Sequence, residues 1–163
     1  MLIKTLKVVA LLTTMLCASA VYAGAFEDGY AALAKKNYAV ALVKFKQAAA
    51  QGHAQAQSNL GFMYYSGQGV VQDYAEAVKW YKLAAAQGLA SAHYNLGLMY
   101  ANGQGVVQDY VRAHMWWNLA ATKGDADAVK NRDIVAAKMT TQKIAEAQKL
   151  ARECQARNYK NCD

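Results

Sequence analysis

Residues 51–86 read QGHAQAQSNLGFMYYSGQGVVQDYAEAVKWYKLAAA, and residues 87–122 read QGLASAHYNLGLMYANGQGVVQDYVRAHMWWNLAAT. Laid over each other without a gap, about 22 of the 36 positions are identical. Gly52, Gly88 and Gly124 mark the step, each 36 residues after the last. A fixed period of this length marks a solenoid, in which each unit is one supersecondary element stacked on its neighbours. A stack of near-copies presents a repeated surface, whereas an active site is a unique constellation of groups. The pattern therefore speaks for architecture and class, and not for the identity of a partner.

Each unit reads as two helices. Ala56, Leu60, Gly61 and Tyr64 recur at helical spacing, as do Ala92, Leu96, Gly97 and Tyr100. Glycine inside a helix costs about 1 kcal/mol against alanine. Its repetition at Gly61 and Gly97 predicts a partner helix too close to admit a Cβ. Gly67 and Gly103 suit the left-handed residue that ends a helix. Asp73 and Asp109 suit the N-cap of the next, and Glu76 completes a capping-box pattern with Asp73. In the second helices small and large residues alternate: Tyr74, Ala77, Tyr81, Ala84, then Tyr110, Ala113, Trp117, Ala120.

The stretch from Phe26 to Gln51 is a shorter copy. Gly29 stands for Gly61, and Tyr38, Ala41, Phe45 and Ala48 stand for Tyr74, Ala77, Tyr81 and Ala84. Gly29 to Tyr38 is 9 positions and Gly61 to Tyr74 is 13, so the first turn is tighter. After Gly124 the pattern restarts and fails, with Arg132-Asp133 in the place of Leu96-Gly97. A terminal cap with a polar outer face is expected there, ending in a helix from Thr140 to about Arg157.

The motifs Leu-Gly-x-Met-Tyr, Gly-Gln-Gly-Val, Asp-Tyr, Trp and Ala-Ala-x-x-Gly, at this spacing, resemble Sel1-like repeats, relatives of tetratricopeptide repeats. The resemblance covers Phe26 to about Ala128. It implies an all-α, right-handed solenoid of antiparallel helix pairs. It also implies an adaptor that holds other proteins, often in bacterial envelopes or secretory compartments. The expected organisation is a leader (1–23), a first repeat of tetratricopeptide type (24–52), two Sel1-like repeats (53–88 and 89–124) and a helical cap (125–163). Cysteine-rich bacterial relatives have been described as β-lactamases and carry a cysteine pair in each repeat; this chain has none in any repeat.

Lys4 and Lys7, then the apolar run Val8–Cys17, then Ala18-Ser19-Ala20 and Val21-Tyr22-Ala23, read as a cleaved signal peptide. Cleavage after Ala23 is preferred over Ala20, because Phe26 already belongs to the first repeat. The run is too short for a permanent membrane span, and Cys17 lacks the small residue that a lipobox needs before it. Export to the periplasm or beyond, with no stable membrane anchor, is the expectation. Removing the leader lowers the formal charge from +7 to +5. The remaining Lys and Arg are scattered, which suits solvated helix faces and not a nucleic-acid stripe. The two cysteines outside the leader, Cys154 and Cys162, are expected to pair in an oxidising compartment. One helix through both would hold their Cα atoms about 12 Å apart, and a bridge needs about 4.4–6.8 Å. The helix must therefore stop near Asn158-Tyr159 and the tail fold back. Loss of the bridge is expected to loosen only the cap.

No catalytic, metal or cofactor site is expected. The Gly-x-Gly loops lack the strand before and the Lys-Ser/Thr after that a phosphate cradle wants. His53, His93 and His114 have no partner at ligand spacing. Trp80, Trp116 and Trp117 fall at core positions of the repeat, so packing is favoured over a saccharide platform. Positions kept between repeats describe the scaffold, and positions that differ are free to read a ligand. The differing pairs Gln55/Ser91, Ser58/Tyr94, Phe62/Leu98 and Tyr65/Ala101 form one stripe on the first helix. Gln55, Ser58, Phe62, Tyr65, Ser91, Tyr94 and Leu98 are thus the expected partner-binding groove, the stripe by which tetratricopeptide-like repeats line their concave face. The resulting expectation is a monomeric, non-catalytic adaptor for an envelope protein or peptide. The alternative is an envelope enzyme or saccharide-binding regulator.

Overall fold

The computed structural model describes residues 24–162. The expected leader and its cleavage positions lie outside the described residues. Among the described residues the regular structure is all helical: α1 (24–34), α2 (Tyr38–Ala50), α3 (Ala54–Ser66), α4 (Tyr74–Ala85), α5 (Ala90–Asn102), α6 (Tyr110–Ala121), α7 (Ala126–Ala136) and α8 (Thr141–Ala156). Helices pair as α1/α2, α3/α4 and α5/α6, and each pair packs on the next to form an α-solenoid. α7 and α8 close the end, both against α6.

Most helix starts carry a side-chain cap, whereas α5, with Leu89 at its N-cap position, has none. Asn37, Asp73, Asp125 and Thr140 accept a backbone N–H of the first turn through their side chains, and Asp109 accepts two. His53 does the same with Nδ1. Gly67 and Gly103 end α3 and α5 in the left-handed region, at φ 72° and 67°. The capping box at Asp73 forms only by half. Asp73 Oδ1 accepts from the Glu76 N–H at 2.9 Å. Asp73 N–H, however, donates to the Tyr64 carbonyl at 2.9 Å, which leaves nothing for the Glu76 carboxylate, and that side chain pairs with Lys79 instead.

The helical glycines are where paired helices touch. A Cβ on Gly29 would lie 2.7 Å from the Phe45 ring, and one on Gly61 would lie 2.6 Å from the Tyr81 ring. One on Gly97 would strike the Trp117 indole. The same contact therefore recurs in three units while its aromatic partner grows from Phe to Tyr to Trp. The Gly-Gln-Gly loops seat each unit on the one before. A Cβ at Gly69 would meet Tyr38 at the start of α2, and one at Gly105 would meet the Tyr74 backbone at the start of α4. With their space filled by the preceding helix, these loops are interfaces between units and not anion cradles.

The core runs along the stack. Phe45, Leu60 and Met63 anchor the first part, and Tyr81, Leu96, Met99, Trp117 and Leu119 the second. Full burial of each such side chain contributes about 1.5–3 kcal/mol. Buried polar groups follow the repeat as well. Gln57 Nε2 donates to the Ala49 carbonyl at 3.3 Å, and Gln87 Nε2 donates to Gln57 Oε1 at 2.8 Å.

Cys154 and Cys162 are bridged, with Cα atoms 5.0 Å apart. α8 ends at Ala156, and Asn158, Tyr159 and Asn161 take positive φ values of 51°, 63° and 53° to turn the tail back. The returning tail reaches further than the cap. The Tyr159 ring lies 5.1 Å from that of His93, and a Cβ on Gly88 would be 2.9 Å from it. The tail thus touches the junction of α4 and α5 as well as the cap, so loss of the bridge has a second place to act besides the cap.

Candidate functional site

The first helices of the three repeats, α1, α3 and α5, line an open cleft of about 550 Å³. α1 contributes Phe26, Glu27 and Tyr30. α3 contributes Gln55, Ser58, Asn59 and Phe62, and α5 contributes Ser91 and Asn95. Their spacing of three and four places them on one helical face. Tyr30 and Phe62 are 53% and 45% exposed, large aromatic side chains left in water. Glu27 is the one Asp, Glu, Lys or Arg side chain of the lining.

Gln55, Ser58, Phe62 and Ser91 therefore come together in the cleft. Tyr65, Tyr94 and Leu98 do not line it. Tyr65 is half-buried, with its ring 5.5 Å from Tyr74. The Tyr94 hydroxyl accepts from Asn131 Nδ2 at 3.2 Å, and its carbonyl accepts from Trp117 Nε1 at 3.2 Å. Leu98 is half-buried against the second core cluster. These three sit where the next unit, or the second helix of the same one, arrives to cover them.

Comparing the repeats for their differences missed the most regular feature of the cleft. Asn59 and Asn95 both line it and are identical in the two full repeats. Asn131 continues the row after another 36 residues, and Glu27 holds the same place in the first unit. The signal was present in the sequence as an unbroken asparagine period. Because it does not vary between the full repeats, it falls among the positions that describe the scaffold. Asn59 Nδ2 is buried and meets no acceptor within the protein. An unanswered buried amide costs about 1–3 kcal/mol. Since the terminal torsion of asparagine is broad, this amide can turn toward an acceptor in the cleft at little cost.

The histidines are separate. His93 is fully buried, and burial pushes its pKa down to about 4, outweighing the Ala85 carbonyl that opposes the shift. His114 is 3% exposed and is likewise lowered, by burial first and by the Arg132 charge second. Trp116 and Trp117 are 3% and 4% exposed and offer no stacking platform to a sugar. Among the described residues no three His, Cys, Asp or Glu side chains are grouped to hold a metal ion, and no helix is long and apolar enough to cross a membrane.

No match is found among curated proteins. Among solved structures, the chain is similar to a protective antigen of uropathogenic Escherichia coli strains that displays an SLR fold. That match has 30% identity and a TM-score of 0.80 over 85% of this chain. This chain spans only 31% of that protein's length. It is also similar to a Sel1 repeat protein from Oxalobacter formigenes, with 32% identity, a TM-score of 0.65, and coverage of 76% of this chain and 97% of that one. Sel1 repeats match residues 22–53, 54–89 and 90–125, so the short first unit is matched along with the two full ones. The chain belongs to the Sel1 repeat family.

Proposed function

We propose that this chain is a monomeric, non-catalytic adaptor of the bacterial cell envelope, which holds an extended segment of a partner protein in the cleft lined by α1, α3 and α5. The observation that carries this reading is the asparagine row, Asn59 and Asn95, lining one cleft with exposed Tyr30 and Phe62. An extended segment presents one N–H and one C=O per residue, and an asparagine amide can answer both. A carbonyl of the segment would give Asn59 Nδ2 the acceptor it lacks. Phe62 and Tyr30 would serve as apolar anchors around that polar centre. Sel1 repeats commonly act as protein–protein interaction scaffolds, which supports the same class. Export is supported by the basic-apolar-small pattern of residues 1–23 and by the Cys154–Cys162 bridge.

The test is a photoreactive benzophenone residue placed at position 62 or, as a control, at position 71. Val71 is 87% exposed on a loop away from the cleft. In the native envelope, position 62 should crosslink to a discrete partner, and Asn95→Ala should abolish the product. Crosslinks from position 71 alone would remove the partner from the cleft. Turnover of a β-lactam by purified protein, lost on a point mutation, would overturn the non-catalytic part.

A further inference from the structure

A second cavity, of about 520 Å³, lies on the opposite set of helices, between α4, α6 and the returning tail. Three features of this cavity bear on what it takes. Its walls are largely apolar: Leu83, which is 50% exposed, Trp116, Tyr159 and the Cys162 half of the bridge. Two lysines, Lys79 and Lys82, stand one turn apart on α4 and line it as well. Finally, one wall is the tail itself. Tyr159, Asn161 and Cys162 reach this place only because the bridge and the left-handed residues turn the chain back.

We propose that this tail pocket binds a small amphiphilic carboxylate, with its apolar body against Leu83 and Tyr159 and its anionic head at Lys79 and Lys82, and that the Cys154–Cys162 bridge is needed to form it. The volume falls in the range of about 300–1,000 Å³ usual for small-molecule sites. Apolar walls favour a ligand whose body leaves water. Lysine ammonium groups are compact, strongly hydrated point charges, and they draw an anion to the mouth without its full desolvation. Lys79 is 70% exposed and is paired with Glu76 at 2.8 Å. That pair can share its ammonium with a second carboxylate, because an ammonium has three donors. No contact between this pocket and the peptide cleft is required, so the two readings stand or fall separately.

The experiment is calorimetric titration of the oxidised protein with octanoate, octanol and acetate. Octanoate should bind. Octanol should bind at least about tenfold more weakly, and acetate not measurably. Lys79→Gln with Lys82→Gln should weaken octanoate about tenfold or more and leave octanol unchanged, the signature of a lost charge contact. Leu83→Glu, at an exposed site that the fold does not depend on, should abolish octanoate binding with the melting temperature preserved. Cys154→Ser with Cys162→Ser should abolish binding of both ligands. Equal binding of octanoate and octanol, insensitivity to the lysine changes, or full binding without the bridge would each overturn the proposal. So would co-sedimentation with phosphatidylglycerol vesicles in place of octanoate binding, which would assign the face to a lipid surface.

Discussion

His93 donates through Nε2 to the carbonyl oxygen of Ala85, 3.1 Å away. The bond repeats, 36 residues on, the one that Gln57 makes to Ala49. An amide and an imidazole thus do the same work at equivalent places, joining the start of one unit to the last turn of the unit before. They differ in one respect. Gln57 does not titrate, whereas His93 does, and its Nδ1 is buried without a partner.

This difference predicts an acid-sensitive junction. The folded state lowers the His93 pKa from 6.5 to about 4. Between those values the unfolded chain binds the proton and the folded one does not, so stability rises with pH. The contribution is fully present above about pH 6.5 and is lost as the pH falls through about 4. It is on the order of 3 kcal/mol in all, most of it lost by pH 4.5. Urea unfolding at pH 7 and pH 4.5 should show that loss, and His93→Gln should reduce it while keeping the bond to Ala85. An equal slope in both proteins would place the acid sensitivity elsewhere.

The helical glycines should be intolerant. Gly61→Leu or Gly97→Leu forces a side chain into the Tyr81 or Trp117 ring and should cost about 3 kcal/mol or more. Thermal melting followed by circular dichroism reads this directly. Wild-type melting in either variant would show that the paired helices can part without penalty.

The cleft and the stack should separate by mutation. Phe62→Ser should leave melting within about 0.5 kcal/mol of wild type, as for an exposed site, and should weaken binding of the partner identified by crosslinking by about 1–2 kcal/mol or more. Asn59→Leu should stabilise, or cost nothing, because it removes a buried amide without a partner, and it too should weaken that binding. Tyr94→Ala should instead melt early, by about 1–3 kcal/mol, since it strips the hydrogen bond from Asn131 and opens the seam to the cap. If Tyr94→Ala melted normally and lost binding, the binding surface would extend beyond the cleft toward α7.

The bridge should act at a distance. In exported protein freed of residues 1–23, and with them of Cys17, intact mass without reduction should give a species two hydrogens lighter than the dithiol, with no alkylatable thiol. A loop this short should stabilise by about 2–3 kcal/mol in the chain-entropy model. Cys154→Ser with Cys162→Ser should raise amide exchange in α8 and also around Gly88 and His93, where Tyr159 packs. Protection unchanged at Gly88 would confine the effect to the cap.

The N-caps offer a smaller test. Asp109→Ala removes acceptance from both Val111 and Arg112 N–H groups and should cost about 1 kcal/mol. A shift below the error of a urea titration would mean that water replaces the cap.

The architecture was legible in the chain because it is periodic. A repeat of 36 residues, with glycine and aromatic kept in step, forces each unit to bury the same face on the next, and local signals at Asp73, Gly67 and Thr140 set where helices start and stop. The pairing of Cys154 with Cys162 followed from counting and reach. What tertiary structure alone decided was which side chains of one helical stripe face open space. Phe62 and Tyr65 lie one turn apart on α3, and only Phe62 lines the cleft. Helical spacing gives a direction from the axis and not what stands opposite. Neighbouring elements cover part of the stripe, with Asn131 from α7 meeting Tyr94, and so turn expected groove residues into seams. The tail pocket is likewise invisible in sequence, because Lys82 and Cys162 are brought together only by the folded return of the tail.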